Sequence, residues 1–371
     1  MDRLRITFVD GFCGGGTYQD DEQTTEGSPL ILLRAIEQAR NAVNKHRIKP
    51  VEIDARFHFV DKSQSSISHL EEVLRERGFG PQIGSRIVLR AEKFEEAYPE
   101  IKQEIDARTR RGVGRSIFIL DQKGYSDVPF PILRDILSSF SASEVVLTFA
   151  VDWLIDYLTN SPEMLKALSS VEISPVFLKE LLEAKNESGG RYVIQRRLRD
   201  HLQRCTQAKY MSPFFIRSQS ANKSLWLVHL SNHKTARNVM VDGHWGIGNC
   251  SIHPGRGGLE IRGFDPGINP DQISMFQFED QDQQQMSDLL QDDILRRLPS
   301  PEMRSPVLFD SFLDDVVNET PARLSDLGEA VESLVARGDL LLVNQNNSLR
   351  RTHKPSLSDR LLRNPQGRLS L

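Results

Sequence analysis

Short apolar runs alternate with amphipathic stretches through the first 150 residues. The runs at 5–10 (RITFVD), 55–61 (ARFHFVD), 86–91 (RIVLRA), 116–121 (SIFILD) and 144–152 (EVVLTFAVD) predict five strands. Between them the apolar positions follow a helical period. Leu30, Leu33, Ile36 and Val43 form one stripe of a helix over 28–44, with Ser28 as its cap and Pro29 at its first position. Ile67, Leu70, Val73 and Leu74 form the stripe of a second, opened by Ser65 or Ser66. A charged helix runs to about residue 110, and another covers 131–140. Continuous runs such as IFIL and VVLTFAV suit strands covered on both faces. The pattern predicts an α/β fold: a Rossmann-like, doubly wound, mostly parallel sheet with right-handed crossovers.

Beyond this the pattern changes. Residues 153–205 are helical and mixed in charge, and 211–218 and 224–231 predict two strands joined by the polar turn QSANK, an antiparallel pair that closes the sheet's edge. A helix is expected over 234–245 and an irregular Gly- and Pro-rich loop over 246–274. Residues 279–293 are acidic and Gln-rich, either a solvated helix or a linker. Further on, Leu308, Phe309, Phe312, Val316 and Val317 have helical spacing. A short helix capped by Thr320 and a longer one capped by Ser325 and ended by Gly338 are expected to follow, then a hairpin of 340–343 with 348–352. That order is a winged helix's. The expected division is a Rossmann-like domain over 1–250, a linker over 251–304, a winged-helix-like module over 305–354 and a basic flexible tail over 355–371.

The first, second and fourth of these strands end in the aspartates Asp10, Asp61 and Asp121. A doubly wound sheet binds its ligand at the carboxyl ends of the strands, and three carboxylates there exceed what packing needs. The first turn, DGFCGGG, holds Gly11, Gly14 and Gly16, which let backbone approach a ligand closely. Its spacing is not G-x-G-x-x-G, so a tight turn and a ligand cradle both stay open. Asp61 stands where an acid accepts ribose hydroxyls; a helix cap or a salt bridge to Lys62 is the plainer role. Glu92 can accept from an adenine amino group, with Phe94 beside the ring; otherwise they are a helix start and a core residue. Asp121 and Tyr125, in LDQKGY, form the pair that holds an amine, the carboxylate accepting its hydrogen and the ring stacking on it. Capping of the following loop is the alternative. Cys13 reads as a small filler, His58 as a strand residue, and Trp226 and Trp245 as core. His229, His233, His244 and His253 are too scattered to suggest a metal centre.

These segments carry a resemblance. DGFCGGG, EGSPLILLRAIEQA, FHFVDKS, FILDQKGYSDVP and EVVLTFAVDWL resemble, in order, the blocks of the three-Cys-motif partner proteins. Those blocks read close to D-x-F-A-G-P-G, G-S-P-L-I-A-L, F-I-E/D and F-I-D-P-F-G-Y. LWLVHLSNHKTARNVMVDGHW and the C-terminal helical module are also similar, so the resemblance spans roughly residues 5–350. It implies a class I S-adenosylmethionine-dependent methyltransferase fold, a bacterial source and, as partner, a three-cysteine, radical-SAM-like protein. It would set Asp10, Gly11, Gly14 and Gly16 against the methionine part of the cofactor, Asp61 on the ribose and Glu92 on the adenine. Asp121 and Tyr125 would meet the methyl acceptor. Two departures stand out: Cys13-Gly14-Gly15 replaces Ala-Gly-Pro, and Gln122-Lys123 replaces Pro-Phe, which removes a rigid carbonyl and a stacking ring.

Composition narrows the choice. At 39% apolar and 26% charged the chain can bury a core, so wholesale disorder is excluded. A net charge of −4 excludes a uniformly basic nucleic-acid coat but leaves local patches. From Ser348 onward there are six basic residues and one acid. Arg350, Arg351, His353 and Lys354 are the candidate DNA or RNA contacts, because SDLGEAVESLVARG, the recognition helix, is itself acidic. RRLRDHLQR (196–204) is a second basic surface or an ordinary exposed helix face. Three separated cysteines suit neither a disulfide framework nor a zinc site. No apolar run can span a bilayer, and the opening MDRLRITFVDGF lacks a signal-peptide layout; a cytoplasmic protein without membrane contact is expected. Two functions follow: methyl transfer to a nitrogen acceptor such as a nucleic-acid base, or a non-catalytic nucleic-acid- or partner-binding subunit with a degenerate cofactor pocket. A nicotinamide oxidoreductase ranks behind both, because the glycine spacing is wrong for it.

Overall fold

Strand β1 (Arg3–Asp10) ends in four buried residues, Thr7 to Asp10. Side chains on both of its faces are therefore covered, as a central parallel strand requires. The computed structural model describes residues 3–20, 23–109, 114–187, 189–217, 224–247, 251–254, 275–276 and 280–365. Contacts divide the chain into two units. One comprises Met1–Lys185, Arg197–Lys209 and Ser224–His233; the other comprises Asn186–Arg196, Tyr210–Lys223 and Lys234–Leu371.

In the first unit β1 leads into a two-stranded hairpin, β2 (Thr17–Asp20) and β3 (Gln23–Glu26), and then α1 (Ser28–Asn44). Strand β4 (Glu52–Asp61), α2 (Gln64–Glu76), β5 (Ile87–Ala91), α3 (Phe94–Arg108), β6 (Ser116–Leu120), α4 (Phe130–Ser139) and β7 (Ser143–Phe149) follow in alternation. Helices α5 (Val151–Tyr157), α6 (Pro162–Ser169) and α7 (Pro175–Lys185) come next, then the second half of α8 (Gly190–Thr206) and, after β8 (Tyr210–Arg217) of the second unit, β9 (Ser224–Ser231). Within this unit the strand order is β9-β7-β6-β1-β4-β5. The five strands from β7 to β5 run parallel, and β9 lies antiparallel on β7. The chain starts at β1, winds out through β4 to β5, then returns to β6 on the other side. This is the doubly wound order, and its switch point lies between β1 and β6. Phe57, Phe59, Leu70, Leu74 and Ile87 pack between sheet and helices, all buried. Each such side chain contributes about 1.5–3 kcal/mol.

The second unit includes β8 and adds α9 (Lys234–Ile247), β10 (Ser251–Pro254), β11 (Met275–Phe276), α10 (Asp280–Arg297), β12 (Val307–Leu308), α11 (Phe309–Val316), α12 (Leu324–Arg337), β13 (Leu340–Val343) and β14 (Arg360–Arg363). Strand β10 pairs with both β8 and β11. Met286, Leu290, Ile294 and Leu298 of the α10 segment enter one core with Phe312, Val316, Leu327, Val331 and Leu334. Fully buried Arg237 donates to the backbone carbonyls of Thr320 and Ala322, at 2.5 Å each, tying α9 to the turn before α12.

Several expected boundaries move. The stretch read as helix or linker over 279–293 is helix α10, because its apolar residues recur every fourth position and reach a core. No short helix begins at Pro321; Thr320 instead accepts from the Ala322 N–H within a turn. Helix α12 is capped by Asp326 accepting from the Arg323 N–H, rather than by Ser325. The partner of β13 is β14, not 348–352, which contributes only a bridge from Leu349 to Val343. The segment 355–365, expected as flexible tail, therefore carries a paired strand at Arg360–Arg363. Buried Leu361 supplies the reason, sitting in the unit's core. The expected turn QSANK and most of the loop 246–274 lie outside the described residues.

Candidate functional site

Parallel pairing brings the carboxyl ends of β1, β4 and β6 together. Asp10 is level with Phe59 and Ile119, and the chain then turns over the sheet. The Gly11 N–H donates to the Ile119 carbonyl (2.9 Å) and the Cys13 N–H to the Val60 carbonyl (3.0 Å). These two bonds stitch the Gly-rich turn across both neighbouring strands. Gly14 and Gly16 have φ of +59° and +82°, a region costly for residues with a Cβ. A Cβ on Gly16 would also lie 2.6 Å from Leu70 Cδ1.

The three strand-end acids occupy different situations. Asp10 is 1% exposed, accepting from the Ser28 hydroxyl (2.5 Å) and the Phe12 N–H (3.3 Å). Burial pushes its carboxyl up to about 6, the two hydrogen bonds oppose the rise, and the charges of Asp121 and Asp61 add to it. Ser28 thus serves the buried carboxylate instead of capping α1, whose cap is Gly27. Asp61 is half-buried; one oxygen accepts from the Gly14 N–H (3.1 Å) and the other from the Ser63 N–H (2.8 Å). Each oxygen keeps a further acceptor site. Asp121, immediately after β6, is exposed. Its charge and that of Asp61 both act on Asp10, so the three acids lie near one another at the carboxyl ends of the strands.

The other expected residues divide. Cys13 is buried under the turn, and burial beside Asp10 and Asp61 pushes its thiol up, away from nucleophilic reactivity. Glu92, just after β5, pairs with Arg90 (3.3 Å). Phe94 is buried against Tyr98 and Phe118. Tyr125 directs its hydroxyl to Met164 Sδ (3.6 Å) and its ring to Phe149 (6.2 Å between centroids). Between Asp121 and Tyr125, Gln122 is buried, its Oε1 accepting from the Asp127 and Val128 N–H groups (2.9 and 3.0 Å). Its Nε2 is buried without a partner. His229 contacts Glu144 (2.9 Å) across β9 and β7. Among the described residues no group of three or more His, Cys, Asp or Glu is placed to hold a metal ion.

One residue escaped the sequence reading. Tyr18, on β2, lies over the turn: a Cβ on Gly14 would be 3.1 Å from its hydroxyl oxygen, and one on Gly27 3.0 Å from its ring. Burial raises its hydroxyl, and the charges of Asp10, Asp121 and Asp61 raise it further. The residue is nevertheless 54% exposed. This exposed aromatic lies near the three acids; only its position after the glycines signalled it.

In the second unit, Arg350 pairs with buried Asp359 and its N–H donates to the Leu342 carbonyl (2.8 Å). Arg351 and Lys354 are exposed, with no side-chain partner among the described residues. In α12 Asp326 faces Arg323 (2.7 Å), which leaves Glu329 and Glu332 as its other acids. Among the described residues no helix is long and apolar enough to cross a membrane.

Residues 263–347 match the family described as GMT-like wHTH domain, a winged helix-turn-helix. The matched stretch holds α10, α11, α12 and β13. No curated protein matches the sequence.

Proposed function

We propose that the first unit binds S-adenosylmethionine in the acid crevice and carries its methyl group to a nitrogen acceptor, a nucleic-acid base being the acceptor that a winged helix would help to present. The observation that carries this reading is the gathering of Asp10, Asp61 and Asp121 around a turn of glycines at the sheet's switch point. Charge makes the choice of ligand. Three carboxylates repel a pyrophosphate, which argues against a nicotinamide dinucleotide, and attract a ligand bearing a sulfonium and an ammonium group. The residues fit that ligand: Asp61 keeps acceptor sites for ribose hydroxyls, Glu92 stands after β5 for an adenine amino group, and Gly11, Gly14 and Gly16 shape a turn that backbone-hugging groups can approach.

When bound, S-adenosylmethionine supplies an electrophilic methyl group. The protein's part is binding and orientation. Asp61 fixes the ligand's sugar, and exposed Asp121 accepts a hydrogen bond from the acceptor amine, leaving the nitrogen lone pair free. Tyr125 walls the approach. Arg351 and Lys354 of the wing hold phosphates, with Arg350 ordering the segment through Asp359. Membership of the three-Cys-motif partner family, a radical-SAM-like partner and a cytoplasmic location belong to the same reading and rest on the sequence blocks.

A second reading, a non-catalytic binding subunit, is favoured by Gln122. Its side chain is spent on its own loop, where the resembling blocks have Pro-Phe. Calorimetry with S-adenosylmethionine should show saturable binding that Asp61→Ala weakens at least tenfold, the effect of losing charge-assisted hydrogen bonds. No heat with the unaltered protein rejects the pocket in both readings. Labelled methyl transfer to DNA, RNA and protein mixtures should fall by about a hundredfold in Asp121→Ala; full transfer in that variant rejects the role given to Asp121, and no transfer from a protein that binds the cofactor selects the second reading.

A further inference from the structure

The amino ends of the same strands hold a second concavity. It measures about 280 Å³ and is lined by Arg3, Arg5, Thr7, Arg108, Gly114 and Arg115, among others. Arg3 and Arg5 open β1, Arg108 ends α3, and Arg115 precedes β6. Four guanidinium groups thus converge from three elements that are far apart in sequence.

Part of their charge is answered. Asp54 of β4 accepts from Arg3 (2.8 Å) and Arg108 (3.1 Å) and lies 3.4 Å from Arg5. Glu52 lies 3.5 Å from Arg3. Two carboxylates against four guanidinium groups leave the wall positive. The Arg108 Nε is buried without a partner. The Arg115 side chain has no partner among the described residues. A fold needing these arginines only for internal pairing would supply an acid for each. An arginine cluster with unfilled donors is a complement for oxyanions, and Arg meets phosphate through paired N–H groups.

We infer that this concavity binds clustered phosphates, such as the oligophosphate of a nucleotide or consecutive phosphates of a nucleic-acid strand. It is distinct from the acid crevice at the opposite ends of the strands and stands whether or not S-adenosylmethionine binds there. A recess in the surface suits an oligophosphate better than a duplex, which needs an extended face.

The test is titration of the full-length protein with tripolyphosphate by calorimetry at low salt. Saturable binding is expected, weakened about tenfold or more in Arg115→Glu and in Arg5→Gln, with unaltered circular dichroism and melting. Asp61→Ala, at the other end of the strands, should leave it unchanged. Absence of saturable heat overturns the inference, as does binding that both arginine variants retain in full. A short oligothymidylate sets the source. Displacement of a bound strand by tripolyphosphate assigns the site to polynucleotide backbone. A strand that fails to bind there, with tripolyphosphate binding intact, assigns it to a free oligophosphate.

Discussion

The two ends of the central sheet are built by different means. At the carboxyl ends of β1, β4 and β6, one glycine-rich turn lies beside acids from three strand ends, and backbone shapes the turn: positive φ at Gly14 and Gly16, and N–H groups anchored on Asp10 and Asp61. At the amino ends of β1, β4 and β6, side chains on regular elements form the concavity, and most of them stay partly exposed. One end gathers acids and the other arginines, so a single sheet presents opposite fields at its two ends. The difference teaches where mutations will register. Changes at the acidic end strain backbone and bury charge, so they reach folding stability. Changes at the basic end alter a field and leave the fold largely intact.

The sharpest consequence concerns Asp10. Its carboxyl is held at about 6 in the folded chain against an ordinary 3.8. A raised carboxyl binds its proton more tightly when folded, so the associated stability is complete below about pH 3.8 and is lost as pH rises through 6. The shift corresponds to about 3 kcal/mol. Asp10→Asn keeps an acceptor for Ser28 and Phe12 but cannot ionise. Between pH 3 and 7, flanking the two values, the wild-type protein should lose about 3 kcal/mol relative to that variant, read from urea unfolding at a series of pH values. Parallel pH profiles for the two proteins would break the contrast, since Asp10 would then be no more buried than the arginines opposite.

Next in size is Gly16→Ala. At φ +82° an added Cβ costs about 1–2 kcal/mol, and its approach to Leu70 adds overpacking. The expected destabilisation is about 2 kcal/mol in chemical unfolding, with loss of S-adenosylmethionine affinity. Unaltered stability would mean that the turn is not held as described.

How much of this was legible depended on where each signal lay. Strands β1, β4, β6 and β7 could be read because burial on both faces demands unbroken apolar runs, and the acids stand at their ends in the sequence itself. The β2–β3 hairpin could not, since 17–26 (TYQDDEQTTE) lacks alternating apolar positions. Ser28 carries the residue type of a helix cap, and only the fold reveals that buried Asp10 claims its hydroxyl. Helix α10 was obscured by its Gln and Asp content, although Met286, Leu290 and Ile294 held the helical repeat. Strand β14 was hidden by basic residues around Leu361. The arginine concavity was invisible because Arg5 and Arg115 are 110 positions apart and meet only through the pairing of β1 with β6.

The smallest effect is the most telling for the comparison. Arg115 has no side-chain partner among the described residues and stands half-buried beside Thr7, which bonds only its backbone carbonyl (3.0 Å). Arg115→Ala should therefore change unfolding free energy by no more than about 0.5 kcal/mol. Arg108→Ala makes the internal control, because Arg108 donates to both the side chain and the backbone carbonyl of Asp54. Losing those bonds should cost about 1–3 kcal/mol. A structural arginine and a ligand-facing arginine then separate by stability within one concavity. If Arg115→Ala proves as destabilising as Arg108→Ala, the guanidinium groups serve the fold alike, and the amino end of the sheet is scaffold rather than a surface kept free for an anion.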